Sequence, residues 1–156
     1  MPYLLDGLNV IHKIEKLYDE LEAKGPEAAV RLLVNELLRL WPDVKGRVEI
    51  VVDKGGGQYG RRLPVRGILV RYSANDESAD ELITRLVDKS TAYYVLVSDD
   101  KGLAASLGRK LTGVISVKDF FRCVVEKGKF EEKFDEKPSS ERENDTEFWM
   151  KIFGAQ

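Results

Sequence analysis

The chain has 156 residues and a formal net charge of −2, with 43% hydrophobic and 33% charged residues. This balance is typical of one soluble globular domain and excludes a disordered chain or a polycation. The apolar runs are too short to cross a bilayer and no signal-peptide pattern precedes them, so no membrane segment is expected. The single cysteine, Cys123, excludes an internal disulfide and a zinc–thiolate cluster and favours a reducing, cytoplasmic location.

The predicted secondary-structure elements alternate between strands and helices along the chain. Strands separated by helices indicate a mainly parallel sheet of about five strands, with helices on both faces. The apolar content and the alternation of side chains predict strands at 2–5, 48–52, 67–72, 92–98 and 114–117. Helical periodicity and helix stop signals predict helices from the turn at 6–9 to about 23, and at 26–41, 76–87, 99–109, 118–126 and 146–154.

The segment 54–66 is predicted to be a flexible loop. It contains three consecutive glycines, which disfavour any regular element. Between Lys54 and Arg71 there are five basic residues and no acidic ones. The glycines do not form a nucleotide-binding loop, because no Gly-Lys-Ser/Thr ending follows them. The sequence therefore predicts a mobile, basic segment directly after the second strand.

The end of the chain is predicted to be a separate helix. Residues 128–145 are charged and contain Pro138, so they are interpreted as a linker. Phe148, Trp149, Ile152 and Phe153 would form one apolar face of a helix at 146–154. This face could dock onto the domain formed by residues 1–127, or it could bind a protein partner or a second copy in a homodimer.

Four acidic residues stand where predicted strands end or a helix begins. Asp6, Asp53 and Asp99 each follow a strand, and Asp80 lies near the start of a helix. Because the carboxyl ends of parallel strands share one edge of a sheet, these side chains are expected to lie close together. Gathered carboxylates repel one another unless a cation lies among them. A site made only of oxygen ligands favours Mg²⁺ or Mn²⁺.

Each acidic residue also has an ordinary explanation when it is considered alone. Asp6 could cap the helix that follows it. Glu77 and Asp80 are three residues apart, so they would share one face in the charged first turn of a helix. Asp99 could be a helix cap, with Asp100 beside it on the surface. Their joint occurrence at several strand ends favours a metal site, with Asp100 and Glu77 as further candidate ligands.

Four short motifs carry these acidic residues. Their sequences are Leu4-Leu5-Asp6-Gly7-Leu8-Asn9-Val10-Ile11, Val51-Val52-Asp53, Glu77-Ser78-Ala79-Asp80-Glu81-Leu82-Ile83 and Val97-Ser98-Asp99. In this order and spacing they resemble the YacP-like branch of the NYN ribonucleases, within the PIN-like nuclease superfamily. The resemblance covers about residues 2–126, and the aromatic end of the chain is similar to the C-terminal helix of that branch. The chain departs from the family at Leu8, where an aromatic residue is common, and at Val97, where threonine is common.

The resemblance implies a fold, a reaction and a set of site residues. The fold would be a PIN-like (NYN) α/β fold, a three-layer α/β/α sandwich with strand order 3-2-1-4-5 and a C-terminal helix. The reaction would be metal-dependent cleavage of RNA, with Mg²⁺ or Mn²⁺ as cofactor. Catalytic and metal-binding roles would fall on Asp6, Asp80 and Asp99, supported by Asn9, Asp53 and Ser98.

The function expected from the sequence is therefore hydrolysis of RNA phosphodiester bonds, by an endoribonuclease. The basic segment would bind the RNA backbone, and an aromatic side chain in it could stack on an unpaired base. Two alternatives stay open: a non-catalytic RNA-binding adaptor that kept the fold, and a structure-specific DNA nuclease. The residues predicted to bind RNA are Lys54, Tyr59, Arg61, Arg62 and Arg66.

Overall fold

A computed structural model of the chain describes residues 2–53, 60–89, 94–128 and 145–154. Within these ranges a six-stranded sheet lies between two layers of helices. The strands are β1 (Tyr3–Asp6), β2 (Val48–Val52), β3 (Arg62–Val65), β4 (Ile68–Tyr72), β5 (Val95–Val97) and β6 (Gly113–Ile115). The helices are α1 (Gly7–Lys13), α2 (Glu15–Lys24), α3 (Pro26–Leu40), α4 (Ala79–Lys89), α5 (Lys101–Leu107), α6 (Val117–Gly128) and α7 (Asp145–Phe153), with a 3-10 turn at Gly108–Lys110.

The sheet has the order β3-β4-β2-β1-β5-β6. All neighbours are parallel except β3, which pairs antiparallel with β4. The five parallel strands, counted in chain order, therefore follow the predicted order 3-2-1-4-5. Their carboxyl ends all open onto one side of the sheet, which we call the carboxyl edge. The predicted three-layer α/β/α sandwich is confirmed, with one strand more than expected.

Alternating side chains of the central strand enter two separate cores. Leu5 on β1 belongs to the larger core, which is covered by α1, α2, α3, α6 and α7. Its neighbour Leu4 belongs to the smaller core, which is covered by α4 and α5. Both leucines are fully buried, as successive residues of a strand covered on both faces should be. The fold therefore holds β1, and the acidic residue that ends it, at the centre of the molecule.

The strand β3 corrects the predicted loop at 54–66. Residues 62–65 pair with β4, with Pro64 opposite Leu69. The sequence hides this strand because Arg62 and Pro64 are exposed and interrupt the apolar pattern. An exposed arginine and a proline are both tolerated on an edge strand. Such a strand pairs on one side only, so the N–H group that proline lacks is not needed on the unpaired side. The predicted RNA contacts at Lys54 and Tyr59 lie outside the described residues.

The first helical region also differs from the prediction. Helix α1 begins directly at Gly7, where a turn was expected, and the single helix expected to about residue 23 is broken at Ile14. Ile14 is extended, with φ −113° and ψ 114°, and its side chain is buried in the larger core. Gly7 is required where it stands, because a Cβ there would lie 2.7 Å from the carbonyl oxygen of Val51. Helix α1 can therefore start directly against β2, with Asp6 at the carboxyl edge.

Helix α7 docks onto the chain's own larger core. Phe148, Ile152 and Phe153 are buried there. Arg39 on α3 donates from Nη2 to the carbonyl oxygen of Ile152 at 3.0 Å, and Glu36 accepts from the same guanidinium. The sequence left open whether the apolar face of this helix docks onto the domain or binds a partner. In the structure this face packs against the chain's own larger core. In the described part of the chain, no helix combines the length and apolar character needed to span a bilayer.

Replacing Phe153 with alanine should destabilise the whole domain. The ring is 6% exposed, and deletion of a buried aromatic side chain costs about 3–5 kcal/mol of unfolding free energy. Met150→Ala on the same helix should change the unfolding free energy by less than about 0.5 kcal/mol, because Met150 is 48% exposed. Urea denaturation of both variants measures the difference. Equal, small effects would show that α7 does not stabilise its own domain in solution.

Candidate active site

Asp6 is the buried centre of the site. It ends β1, between β2 and β5, and is only 7% exposed. The Ser98 hydroxyl, which follows β5, donates to Asp6 Oδ2 at 3.1 Å. A carboxylate in such a place is costly to ionise, because burial disfavours the charged form. The topology, which makes β1 the middle strand, is the reason that this side chain is buried.

Two further carboxylates face Asp6 at the carboxyl edge. Asp80 is the second residue of α4, and Asp100 precedes α5, where its Oδ1 accepts from the Leu103 N–H at 3.0 Å. The pKa of Asp6 is raised to about 6, first by burial and then by the negative charges of Asp80 and Asp100, although the Ser98 hydroxyl and the Asn9 backbone N–H act to lower it.

The acidic group extends to Asp53 at the end of β2. Burial, followed by the charges of Asp100 and Asp53, raises the pKa of Asp80. Asp53 in turn accepts from the Ser73 hydroxyl at 3.2 Å. We call Asp6, Asp53, Asp80 and Asp100 the acidic cluster. The sequence analysis did not select Ser73 as a site residue. Its position directly after β4, like that of Ser98 directly after β5, could have identified it.

Asp99 does not join the acidic cluster. Its Oδ1 accepts from the Val117 N–H at 3.1 Å, at the start of α6, and its Oδ2 lies 3.6 Å from Lys13 Nζ. Its backbone N–H donates to Asn9 Oδ1 at 2.9 Å. The structure thus gives both oxygens of Asp99 other partners and places Asp100 among the charges that act on Asp6, whereas the ligand role of Asp99 stays a prediction. The two residues are adjacent, so their side chains point in different directions, and only the fold decides which one faces Asp6.

Glu77 is also placed differently from the prediction. It precedes α4 and does not share a face of that helix with Asp80. Both of its carboxylate oxygens accept from Arg85 at 3.0 Å, and one also accepts from the Ala74 N–H. The hydrogen bonds from Arg85 lower the pKa of Glu77. Its charge is thus already balanced by an arginine.

The three predicted arginine contacts occupy two different ends of the sheet. The carbonyl oxygen of Arg61 accepts from the Tyr72 N–H, near the carboxyl edge, and Arg62 pairs with Arg71 beside it. Arg66 lies in the β3–β4 turn at the opposite end and donates to Asn35 Oδ1 at 2.7 Å. Four strand residues separate the two ends, or about 13 Å. The prediction that Arg66 lies near the site is therefore wrong.

The acidic cluster offers the oxygen donors that a hard divalent cation takes. No three His, Cys, Asp or Glu side chains in the described ranges converge closely enough to form a complete metal cage. Mg²⁺ does not need one, because it commonly keeps several waters and binds through one or two carboxylates. The buried Asp6, repelled by Asp80 and Asp100, is the arrangement that such a cation would neutralise. The donor set therefore fits Mg²⁺ or Mn²⁺.

Comparisons with known proteins agree with this architecture. The family model described as a YacP-like NYN domain matches residues 3–151. No curated protein sequence gives a significant match. The crystal structure of Rae1 (YacP) from Bacillus subtilis is similar with 21% identity and a TM-score of 0.63, covering 83% of this chain and 75% of that chain. A tryptophan-to-leucine mutant of Rae1 is similar with 23% identity and a TM-score of 0.60, covering 83% and 77%.

Proposed function

Since the chain belongs to the YacP-like NYN domain family and has a nuclease-like fold, we propose that it is a metal-dependent endoribonuclease. The observation that supports this most directly is the buried carboxylate of Asp6 facing Asp80 and Asp100 at the carboxyl edge. A purely structural role does not require three mutually repelling carboxylates in one place. A divalent cation bound beside Asp6 would offset this repulsion.

The chain's own residues would hold and orient the reacting groups. Asp6, Asp80 and Asp100 would hold Mg²⁺ or Mn²⁺, with Asp53 beside them. When bound, the ion would supply an activated water and would neutralise charge on the phosphoryl oxygens. The Ser98 hydroxyl accepts from the Asp100 N–H at 3.0 Å while it donates to Asp6, so it links the Asp6 carboxylate to the backbone of Asp100. Ser98 is thus a positioning residue.

A cleavage assay with the purified chain tests the proposal. Structured and unstructured RNA are incubated with Mg²⁺, with Mn²⁺ and with EDTA, and a DNA strand of the same sequence is the control substrate. We expect internal cleavage of RNA with either metal and none with EDTA. RNA binding without cleavage under any metal condition would support the adaptor function instead. Cleavage of the DNA control at a comparable rate would support a DNA nuclease.

Arg61 and Arg62 are expected to contact the RNA backbone near the carboxyl edge. Changing both to alanine should weaken RNA binding by about three- to tenfold and reduce the salt dependence, because each lost phosphate contact lowers the slope of log K against log salt by about 0.7 on single strands. The matched control is Arg66→Ala, at the opposite end of the sheet. Fluorescence anisotropy over a salt series measures both. An equal loss from the Arg66 variant would contradict the assignment.

A further inference from the structure

Two concave regions meet the acidic cluster at Asp100. The first lies between α4 and α5, has a volume of about 580 Å³ and includes Asp80. The second has a volume of about 480 Å³ and lies between α5, α6 and the end of α1. We call the second region the lysine cleft, because its rim carries Lys13, Lys101 and Lys118. An RNA strand with its scissile phosphate at the acidic cluster could leave through either region.

The charges lining the two regions favour the lysine cleft. The α4–α5 region is lined by four acidic and two basic side chains, and one of the basic ones, Arg85, is bound by Glu77. The lysine cleft is lined by three basic and two acidic side chains. One of those acids, Asp99, already accepts a backbone N–H and faces Lys13. A phosphate backbone is therefore attracted toward the lysine cleft and repelled from the α4–α5 region.

Lys13 lines both the lysine cleft and a third concavity. This third region, the α7 cavity, has a volume of about 490 Å³ and lies between the α1–α2 junction and α7. His12, Trp149 and Phe153 give it aromatic walls. A strand that crosses the lysine cleft would thus reach an aromatic cavity. Aromatic side chains accept unpaired bases by stacking, whereas bases inside a duplex are not accessible to them.

The ring of Trp149 lines the α7 cavity. The ring itself is held by edge contacts with Phe121 and Phe148, at centroid distances of 5.7 and 4.8 Å. Nucleobases have the flat surface that can stack on such a ring.

We infer that the chain binds single-stranded RNA on one side of the acidic cluster, with phosphates along the lysine cleft and an unpaired base in the α7 cavity. This inference rests on the proposed function, since it takes RNA as the substrate. It adds a preference for single-stranded over duplex RNA, and it adds an RNA-binding surface on α1, α5, α6 and α7. These elements are separate from the basic segment to which the sequence pointed.

The first test measures RNA affinity after charge reversal. Lys101→Glu with Lys118→Glu is compared with Lys45→Glu and Lys127→Glu, all in an Asp6→Asn background that prevents cleavage. The pairs are matched, because Lys118 lies 5.3 Å from the Phe148 ring and Lys127 lies 5.4 Å from the Trp41 ring. Lys45 and Lys127 lie toward the opposite end of the sheet. We expect the first pair to lose at least about tenfold in affinity and about 1.4 units of salt slope, and the second pair to lose little.

The second test observes the α7 cavity directly. The chain contains two tryptophans, Trp41 and Trp149, so a Trp41→Phe variant reports on Trp149 alone. In the Asp6→Asn background, single-stranded RNA should change the Trp149 emission with the same midpoint as the anisotropy signal. Duplex RNA of the same sequence should bind at least about tenfold more weakly and leave the emission unchanged, because its bases stay stacked.

The outcomes separate this inference from the proposed function. Equal losses from the two lysine pairs, unchanged Trp149 emission at saturating RNA, or equal affinity for duplex and single strand would each overturn the inference. RNA cleavage by the wild-type chain is unaffected by those results and still tests the nuclease proposal. Conversely, RNA binding through the lysine cleft without cleavage under any metal condition would support the inference and overturn the nuclease proposal.

Discussion

Replacing Asp100 with asparagine should lower the rate of RNA cleavage by about 10²–10³-fold, the effect typical of losing one preorganised charge from a catalytic site. Asp100 faces Asp6 and Asp80, so its charge belongs to the group that would hold the cation. Asparagine keeps the side-chain oxygen that accepts from the Leu103 N–H, so helix α5 keeps its cap. The loss should therefore appear in activity and not in folding.

Asp99→Asn is the matched control for this experiment. It removes the same charge from the neighbouring residue, keeps an acceptor for the Val117 N–H, and loses only the ion pair with Lys13 at 3.6 Å. Exposed pairs of this kind contribute at most about 1 kcal/mol, so most of the activity should remain. Single-turnover cleavage of a labelled RNA, with circular dichroism as the folding check, compares the two variants. If Asp99→Asn lowers the cleavage rate much more than Asp100→Asn does, Asp99 and not Asp100 is the third metal ligand.

Asp6→Asn should make the protein more stable at neutral and alkaline pH. The folded-state pKa of Asp6 is raised from 3.8 to about 6. The folded state therefore binds the proton more tightly than the unfolded state does. Ionisation of Asp6 costs folding free energy progressively between pH 3.8 and about 6, and the cost is complete above that range. Removing the charge should raise the free energy of unfolding by up to about 3 kcal/mol at pH 8.

Urea denaturation of both proteins at pH 8 and at pH 4 measures this effect. The advantage of the asparagine variant should be large at pH 8 and should nearly disappear at pH 4, where the wild-type carboxyl group is mostly protonated. Mg²⁺ or Mn²⁺ at pH 8 should stabilise the wild-type protein and narrow the gap, because a ligand that binds only the folded state shifts unfolding. The Asp6→Asn variant should respond much less. If neither metal changes the difference in unfolding free energy between the wild type and the Asp6→Asn variant, no cation binds at this cluster.

The succession of strands and helices along the chain was predictable because their patterns alternate with clear stop signals, whereas the order of the strands within the sheet came only from the family resemblance. Proline at residues 26 and 42 and the β-branched run at 48–52 marked element boundaries that the structure keeps within a few residues. The strand β3 was not predictable in the same way. Its exposed Arg62 and Pro64 carry no apolar alternation, and its pairing with β4 is a tertiary contact.

The sequence by itself determined that acidic residues follow several parallel strands, and therefore that carboxylates gather at one edge of the sheet. Only the tertiary structure decided which of two adjacent aspartates faces Asp6, since a difference of one residue reverses the direction of a side chain at a strand end. It also placed Arg66 away from the site and brought Lys13, Lys101 and Lys118 from three helices to one cleft. Position along the chain fixes the edge at which a residue lies, whereas side-chain direction and contacts between distant elements depend on how the helices pack.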